Sequence, residues 1–148
     1  MSTPVIEFRD TNVSGTLYTE SSGIDFGTVQ AQSTSGVETV YVRNTGSVAL
    51  QDCIVDCVAF SIANGFGSDA QVGTAGETYD ATTFSTVSSP WDDYASIAVG
   101  SGATHGPEVG GTLSSGGGND TFYTRWEPPA GSSVGAKVWG MQITGNYT

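Results

Sequence analysis

The stretch that decides the fold runs from residue 37 to residue 59. It reads Val37-Glu38-Thr39-Val40-Tyr41-Val42-Arg43, then Asn44-Thr45-Gly46-Ser47, then, beyond Val48-Ala49-Leu50, Gln51-Asp52-Cys53-Ile54-Val55-Asp56-Cys57-Val58-Ala59. The first run is rich in β-branched residues and reads as a strand, and the Asn and Gly of the second suit a chain reversal through positive φ. In the third, Gln51, Cys53, Val55, Cys57 and Ala59 share one face, and Asp52, Ile54, Asp56 and Val58 share the other. Strand side chains alternate between faces, so the two aspartates mark the wet side and place the cysteines inward. The segment is therefore strand, turn, strand.

The same pattern extends outward in both directions. Residues 4–9 alternate weakly, and Gly23 to Val29 alternates clearly, with Ile24, Phe26 and Thr28 on one side. Further strands are predicted at Thr82 to Val87, Tyr94 to Val99, Thr121 to Glu127 and Ala136 to Tyr147. The last two read as a hairpin around Pro128-Pro129-Ala130-Gly131, with Phe122, Thr124 and Trp126 on one face of the first arm. Gly110-Gly111 and Gly116-Gly117-Gly118-Asn119-Asp120 bracket a connection expected to be flexible. About seven short strands and no credible helix predict an all-β chain, a single antiparallel two-sheet β-sandwich over residues 1–148 with a short N-terminal arm at 1–9. Composition agrees: Gly, Ser and Thr together supply 58 of 148 positions, leaving little helix-forming material. A chain of this length buries about two-thirds of its unfolded surface, so its core needs neither disulfide nor metal.

The formal charge is −11, from 15 carboxylates against Lys137, Arg9, Arg43 and Arg125. Phosphate backbones are bound by clustered cations, which are absent, so nucleic-acid binding is not expected, nor is attraction to an anionic membrane. Scarce lysine with excess acid fits either an ordinary acidic protein or a halophilic one, in which salt screens self-repulsion. The start at Met1 shows no basic segment followed by an apolar run, which predicts synthesis in the cytoplasm as a soluble protein.

A search for chemistry yields no reaction centre. On a strand Cys53 and Cys57 lie about 13 Å apart, beyond disulfide reach, and the single histidine, His105, sits far off between Thr104 and Gly106-Pro107. Two buried thiols are expected, with a disulfide across a bulge left open. No Gly-x-Ser-x-Gly elbow accompanies His105, and the glycine runs lack a following Gly-Lys-Ser/Thr. Asp92 and Asp93, beside Trp91 and Tyr94, face opposite ways if extended and read as a turn or rim rather than an acid/base pair. Asn119-Asp120 offers oxygen ligands for calcium, yet no complete calcium loop is present and turn chemistry accounts for the pair. The chain is expected to be no enzyme and to carry no cofactor and no metal.

Ile24-Asp25-Phe26-Gly27-Thr28-Val29, Ser33-Thr34-Ser35 and Val40-Tyr41-Val42-Arg43-Asn44-Thr45-Gly46-Ser47-Val48-Ala49-Leu50 together resemble immunoglobulin-like modules of the ASPM/SPD-2/Hydin type. The likeness covers about thirty residues; it implies an Ig-like sandwich and says almost nothing of function. The run Phe122-Tyr123-Thr124-Arg125-Trp126-Glu127-Pro128-Pro129-Ala130-Gly131-Ser132, with Gly135 and a terminal strand, resembles the closing hairpin of β-sandwich proteins in tailed-virus particles. Residues 64–118 lie outside the first resemblance.

The resemblance implies a virion structural protein, a capsid decoration protein or tail component, whose partners are a major capsid or tail protein and copies of itself. The alternative is an extracellular or cell-surface Ig-like adhesion module. The expected interface residues are Pro4, Ile6 and Phe8 of the arm, the acidic-aromatic rim Trp91, Asp92, Asp93 and Tyr94, and the rare cations Arg43 and Arg125. The two arginines are expected to pair with carboxylates.

Overall fold

The computed structural model describes residues 2–19, 24–30, 32–59, 82–85, 96–104, 109–126 and 139–148. Among them are eight strands: β1 (Ile6–Asp10), β2 (Glu38–Asn44), β3 (Leu50–Ala59), β4 (Thr82–Ser85), β5 (Ser96–Ala98), β6 (Gly111–Leu113), β7 (Gly118–Trp126) and β8 (Trp139–Asn146). No helix occurs among the described residues. One sheet has the order β1-β2-β7-β4; in the other, β3 is flanked by β5 and β6 on one side and by β8 on the other. All pairings are antiparallel. The sheets pack face to face as an all-β sandwich.

The alternation read from the sequence sets the core. Val40 and Val42 of β2 and Phe122 of β7 meet Leu50, Cys53, Val55, Ile97, Val99 and Leu113 from the opposite sheet. Ile6 and Phe8 pack against this cluster, so the segment expected to be a free arm supplies, from Ile6 onward, a strand bonded to β2. Its pairing runs from Ile6 opposite Asn44 to Asp10 opposite Val40.

Three local expectations give way to long-range pairing. β7 pairs with β2 and β4, and β8 pairs with β3, so the two final strands lie in different sheets and form no hairpin. β2 and β3 likewise belong to different sheets; Asn44 to Ser47 is a corner between layers, and neither Asn44 nor Gly46 has positive φ. Residues 24–30, expected to be a strand, join none, although Ile24 packs on the core.

The alternation of β3 is itself broken. Register shifts between Leu50 and Cys53 against β6, and between Gln51 and Ile54 against β8, with Asp52 at φ 54°. A bulge inserts a residue and advances the facing pattern by one. Leu50 and Cys53 thus both reach the core while Gln51 and Asp52 are exposed, which removes Gln51 from the face it shares with Cys53 in a regular strand. Beyond the bulge the expected pattern holds for Cys53 and Val55 inward and Asp56 outward.

Candidate functional site

The most elaborate polar arrangement lies at the corner between the sheets. Asn44 continues the inward phase of Val40 and Val42 and is fully buried. Its Oδ1 accepts from Val5 N at 3.2 Å and Gly46 N at 3.0 Å, and its Nδ2 donates to Val48 O at 2.8 Å and Leu113 O at 3.0 Å. A carboxamide has two donor hydrogens and two acceptor lone pairs, so all four are used. The corner backbone closes around it: Thr45 N donates to Val5 O, Gly117 N to Asn44 O, and Gly116 N to Gly46 O. One side chain joins the lead-in to β1, the corner itself and β6 of the opposite sheet. Gly46 permits the approach, since a Cβ there would lie 2.5 Å from Val5 N.

A second polar tie crosses the sandwich beside it. Asp120 Oδ2 accepts from Gly100 N at 2.7 Å, and its Oδ1 accepts from Thr121 N at 2.7 Å. Since Asp120 belongs to β7 and Gly100 follows β5, the carboxylate connects the two layers. Asn119 bonds through Nδ2 to Gly117 O. The oxygen-bearing pair singled out from the sequence thus holds backbone. No group of three His, Cys, Asp or Glu side chains able to hold a metal occurs among the described residues.

No family model matches the chain, and no curated protein does.

The expected interface residues have diverse placements. Ile6 and Phe8 lie on β1 and Arg43 on the adjacent β2, with Glu7 opposite Arg43 and Phe8 opposite Val42, so the two apolar side chains face the core and Arg43 lies on the other face of the sheet. Pro4 is half-buried beside the Gly46 corner. Ile6 and Phe8 spend part of their apolar surface on the core, which the arm reading did not anticipate. The predicted carboxylate partner of Arg43 is not found among the described residues: Glu7 is engaged by Arg9 instead, Nε to Oε2 at 3.0 Å. The Arg43 guanidinium lies over the 114–118 turn, where a Cβ on Gly117 would come within 3.0 Å of it. Arg125 stands opposite Thr83 in the β4–β7 ladder. Trp91, Asp92, Asp93 and Tyr94 fall outside the described residues, as does His105.

Cys53 is a free, fully buried thiol that donates to Leu50 O at 3.2 Å, whereas the side chain of Cys57, the second expected thiol, lies outside the described residues. Burial pushes its thiol up, away from the reactive thiolate.

One acidic group is electrostatically stressed. Burial, then Asp10 and Glu38, push the Tyr18 phenol up to about 12. Burial, then Asp10 and Asp25, raise the Glu38 carboxyl above its ordinary value. An acid whose folded-state value is raised stabilises the fold fully below its unfolded value, and that contribution is lost as pH rises through the folded value. Glu38→Gln is therefore expected to raise the thermal midpoint at pH 7 by about 1–3 °C, after discounting for solvent screening. The gain should vanish near pH 4 and shrink in molar salt, which screens the three carboxylates. Melting curves at both pH values and both ionic strengths check this; a gain independent of pH would refute it.

The sequence reading missed Asn44 as a structural hub and Asp120 as a tie between layers. The signal for Asn44 was present: an amide in phase with two inward valines has to find four buried partners. For Asp120 no local signal exists, because Gly100 is twenty residues away.

Proposed function

We propose that the chain is a non-enzymatic structural protein of a tailed-virus particle, a decoration protein of the capsid shell made in the host cytoplasm, acting by multivalent packing on a protein lattice. The observation that carries this reading is the doubly tied sandwich end. Asn44 and Asp120 spend buried or half-buried polar groups on holding backbone segments of both sheets together, an arrangement that fixes shape. A lattice protein gains from that, because contact geometry repeated over many copies tolerates little internal play.

The test is reconstitution. Shells of the virus that encodes this chain, assembled without it, are titrated with purified protein and the bound copies counted by sedimentation. Saturation at a fixed number of copies per shell is expected. Failure to bind shells or tails at micromolar concentration, together with specific retention on a glycan array, would transfer the chain to the adhesion class.

A further inference from the structure

The sandwich treats its sheet edges unequally. At β1, Tyr18 N donates to Phe8 O at 2.8 Å and Asp10 N to Thr16 O at 2.9 Å, and Arg9 bridges Leu17, so the 16–18 segment straps that edge. β4 and β5 offer four and three residues. β8 offers eight, Trp139 to Asn146, and pairs only with β3 among the described residues. Exposed edges are normally blunted by charge, proline, bulges or a covering segment. The sequence Trp-Gly-Met-Gln-Ile-Thr-Gly-Asn carries no charge and no proline, and its register with β3 is unbroken from Trp139 to Thr144.

The backbone phase of that edge follows from the neighbouring ladder. Val99 N donates to Cys53 O at 3.1 Å, so Cys53 and Val55 direct their backbone groups toward β5. Ile54, Asp56 and Val58 then direct theirs toward β8, opposite Thr144, Gln142 and Gly140. It follows that Met141 and Ile143 turn their N–H and C=O groups away from β3, to the side on which no described strand pairs with β8.

We propose that β8 is a seam at which a second copy of this chain docks, antiparallel and about a two-fold axis at Gln142, so that the β5-β3-β8 sheet continues into its neighbour. In that register Met141 bonds with Ile143 of the second copy and Ile143 with its Met141. The two half-buried side chains stay on the core-facing side, and the exposed Gln142 meets its own equivalent on the outer face. Charge favours a copy as the occupant. In a chain of net −11, this strand is a neutral lane by which two copies can approach. Asp56, opposite Gln142 on β3, is separated from its equivalent by three strand spacings, about 14 Å, which exceeds the screening length of about 8 Å at physiological salt. A seam of this size buries less than the roughly 1,200 Å² typical of stable complexes, so the isolated pair is expected in the micromolar range. The inference does not depend on the virion role, since it concerns the purified chain alone.

Site-specific cross-linking tests both contact and register. Residues opposite each other in a non-hydrogen-bonded pair lie about 4.5 Å apart at Cα, within disulfide geometry. Gln142→Cys under mild oxidation at ~100 µM is expected to give a covalent dimer, as a chain concentration typical of weak association requires. Thr144→Cys, whose equivalents are displaced by about 13 Å in this register, is expected to remain monomeric on a non-reducing gel, as is the wild type with its native cysteines. Gln142→Lys, which faces Asp56 within its own chain but a second lysine across the axis, should melt like wild type and sediment as monomer at concentrations where wild type dimerises. Equal cross-linking at 142 and 144, or a wild-type chain that sediments as monomer throughout, would overturn the seam.

Discussion

Asn44→Leu is expected to cost the fold about 3–5 kcal/mol and to lower its thermal midpoint by roughly 10–20 °C, because the buried Gly46 N–H and the part-buried Val5 N–H lose their acceptor and two carbonyls lose a donor together. The donors, Val5 N and Gly46 N, carry most of this penalty. The carbonyls of Val48 and Leu113 keep a second lone pair and lose less. A total stability of about 5–15 kcal/mol is usual for such domains, so the variant stands close to unfolding at body temperature. Asn44→Asp separates the amide's chemistry from its shape. A carboxylate still accepts from Val5 and Gly46 but opposes its second oxygen to the carbonyls of Val48 and Leu113. Burial and those oxygens raise its folded-state value, so the native state takes up the proton more strongly than the unfolded one. Stability of this variant relative to wild type should therefore improve as pH falls through that value, whereas the loss in Asn44→Leu should stay level with pH. Chemical denaturation of the three proteins between pH 4 and pH 8 provides the comparison. Parallel pH profiles for the leucine and aspartate variants would show that Asn44 contributes only its volume.

The same residue shows where local sequence reading succeeds and where it stops. Alternation placed Cys53 and Val55 on the inward face of their strand and Phe122 and Thr124 together on one face of theirs, and all four are buried, because period two is a property of the backbone and needs no knowledge of the partner strand. Sheet membership is a different matter. Nothing between Phe122 and Thr144 states that β7 joins β2 while β8 joins β3; that choice is made by residues about eighty positions away. The corner at Asn44 reads as a hairpin turn for the same reason: Asn-Thr-Gly-Ser is compatible with either connection, and the decision rests on contacts with Val5 and Leu113. The bulge in β3 shifts Gln51 outward without a proline or glycine in the strand to announce it, and the glycines that accommodate it lie in another strand. Candidate interface residues were legible only as composition. Sequence marks Ile6 and Phe8 as apolar and Arg43 as a rare cation, while the pairing of β1 with Arg43's strand comes from the ladder register.

Those distant glycines define the second large effect. Gly110 and Gly111 read as part of a flexible connection, yet Gly111 is buried opposite Cys53 and begins β6. A Cβ on Gly110 would lie 2.3 Å from Asp52 C and 2.5 Å from Cys53 N; one on Gly111 would lie 2.5 Å from Gly100 O and 2.6 Å from Ser101 O. Every one of these is a main-chain atom, which cannot swing aside as a side-chain tip can. Alanine at either position must move β6 away from the bulge or from the Gly100 segment, which also carries the N–H bound by Asp120. Each substitution is accordingly expected to destabilise by about 2–4 kcal/mol, the range for forced overpacking plus broken backbone bonds. The loss should be local before it is global. β6 lies against Cys53, so its displacement opens a path to that thiol, and the reaction of Cys53 with a disulfide reagent in a Cys57→Ser background reports the opening directly. In the otherwise unaltered background Cys53 should react only at the rate of unfolding; with Gly110→Ala it should react at least about tenfold faster, as sub-global opening predicts. Serine at Gly102, where a Cβ meets nothing within 4 Å but φ is +85°, serves as the control: it strains the backbone without pressing on β6. It should therefore lower stability while leaving thiol protection tied to global unfolding. Equal thiol exposure in the two variants would mean that the bulge and β6 open with the whole domain, and that the close approach at Gly110 has no separate role in sealing the core.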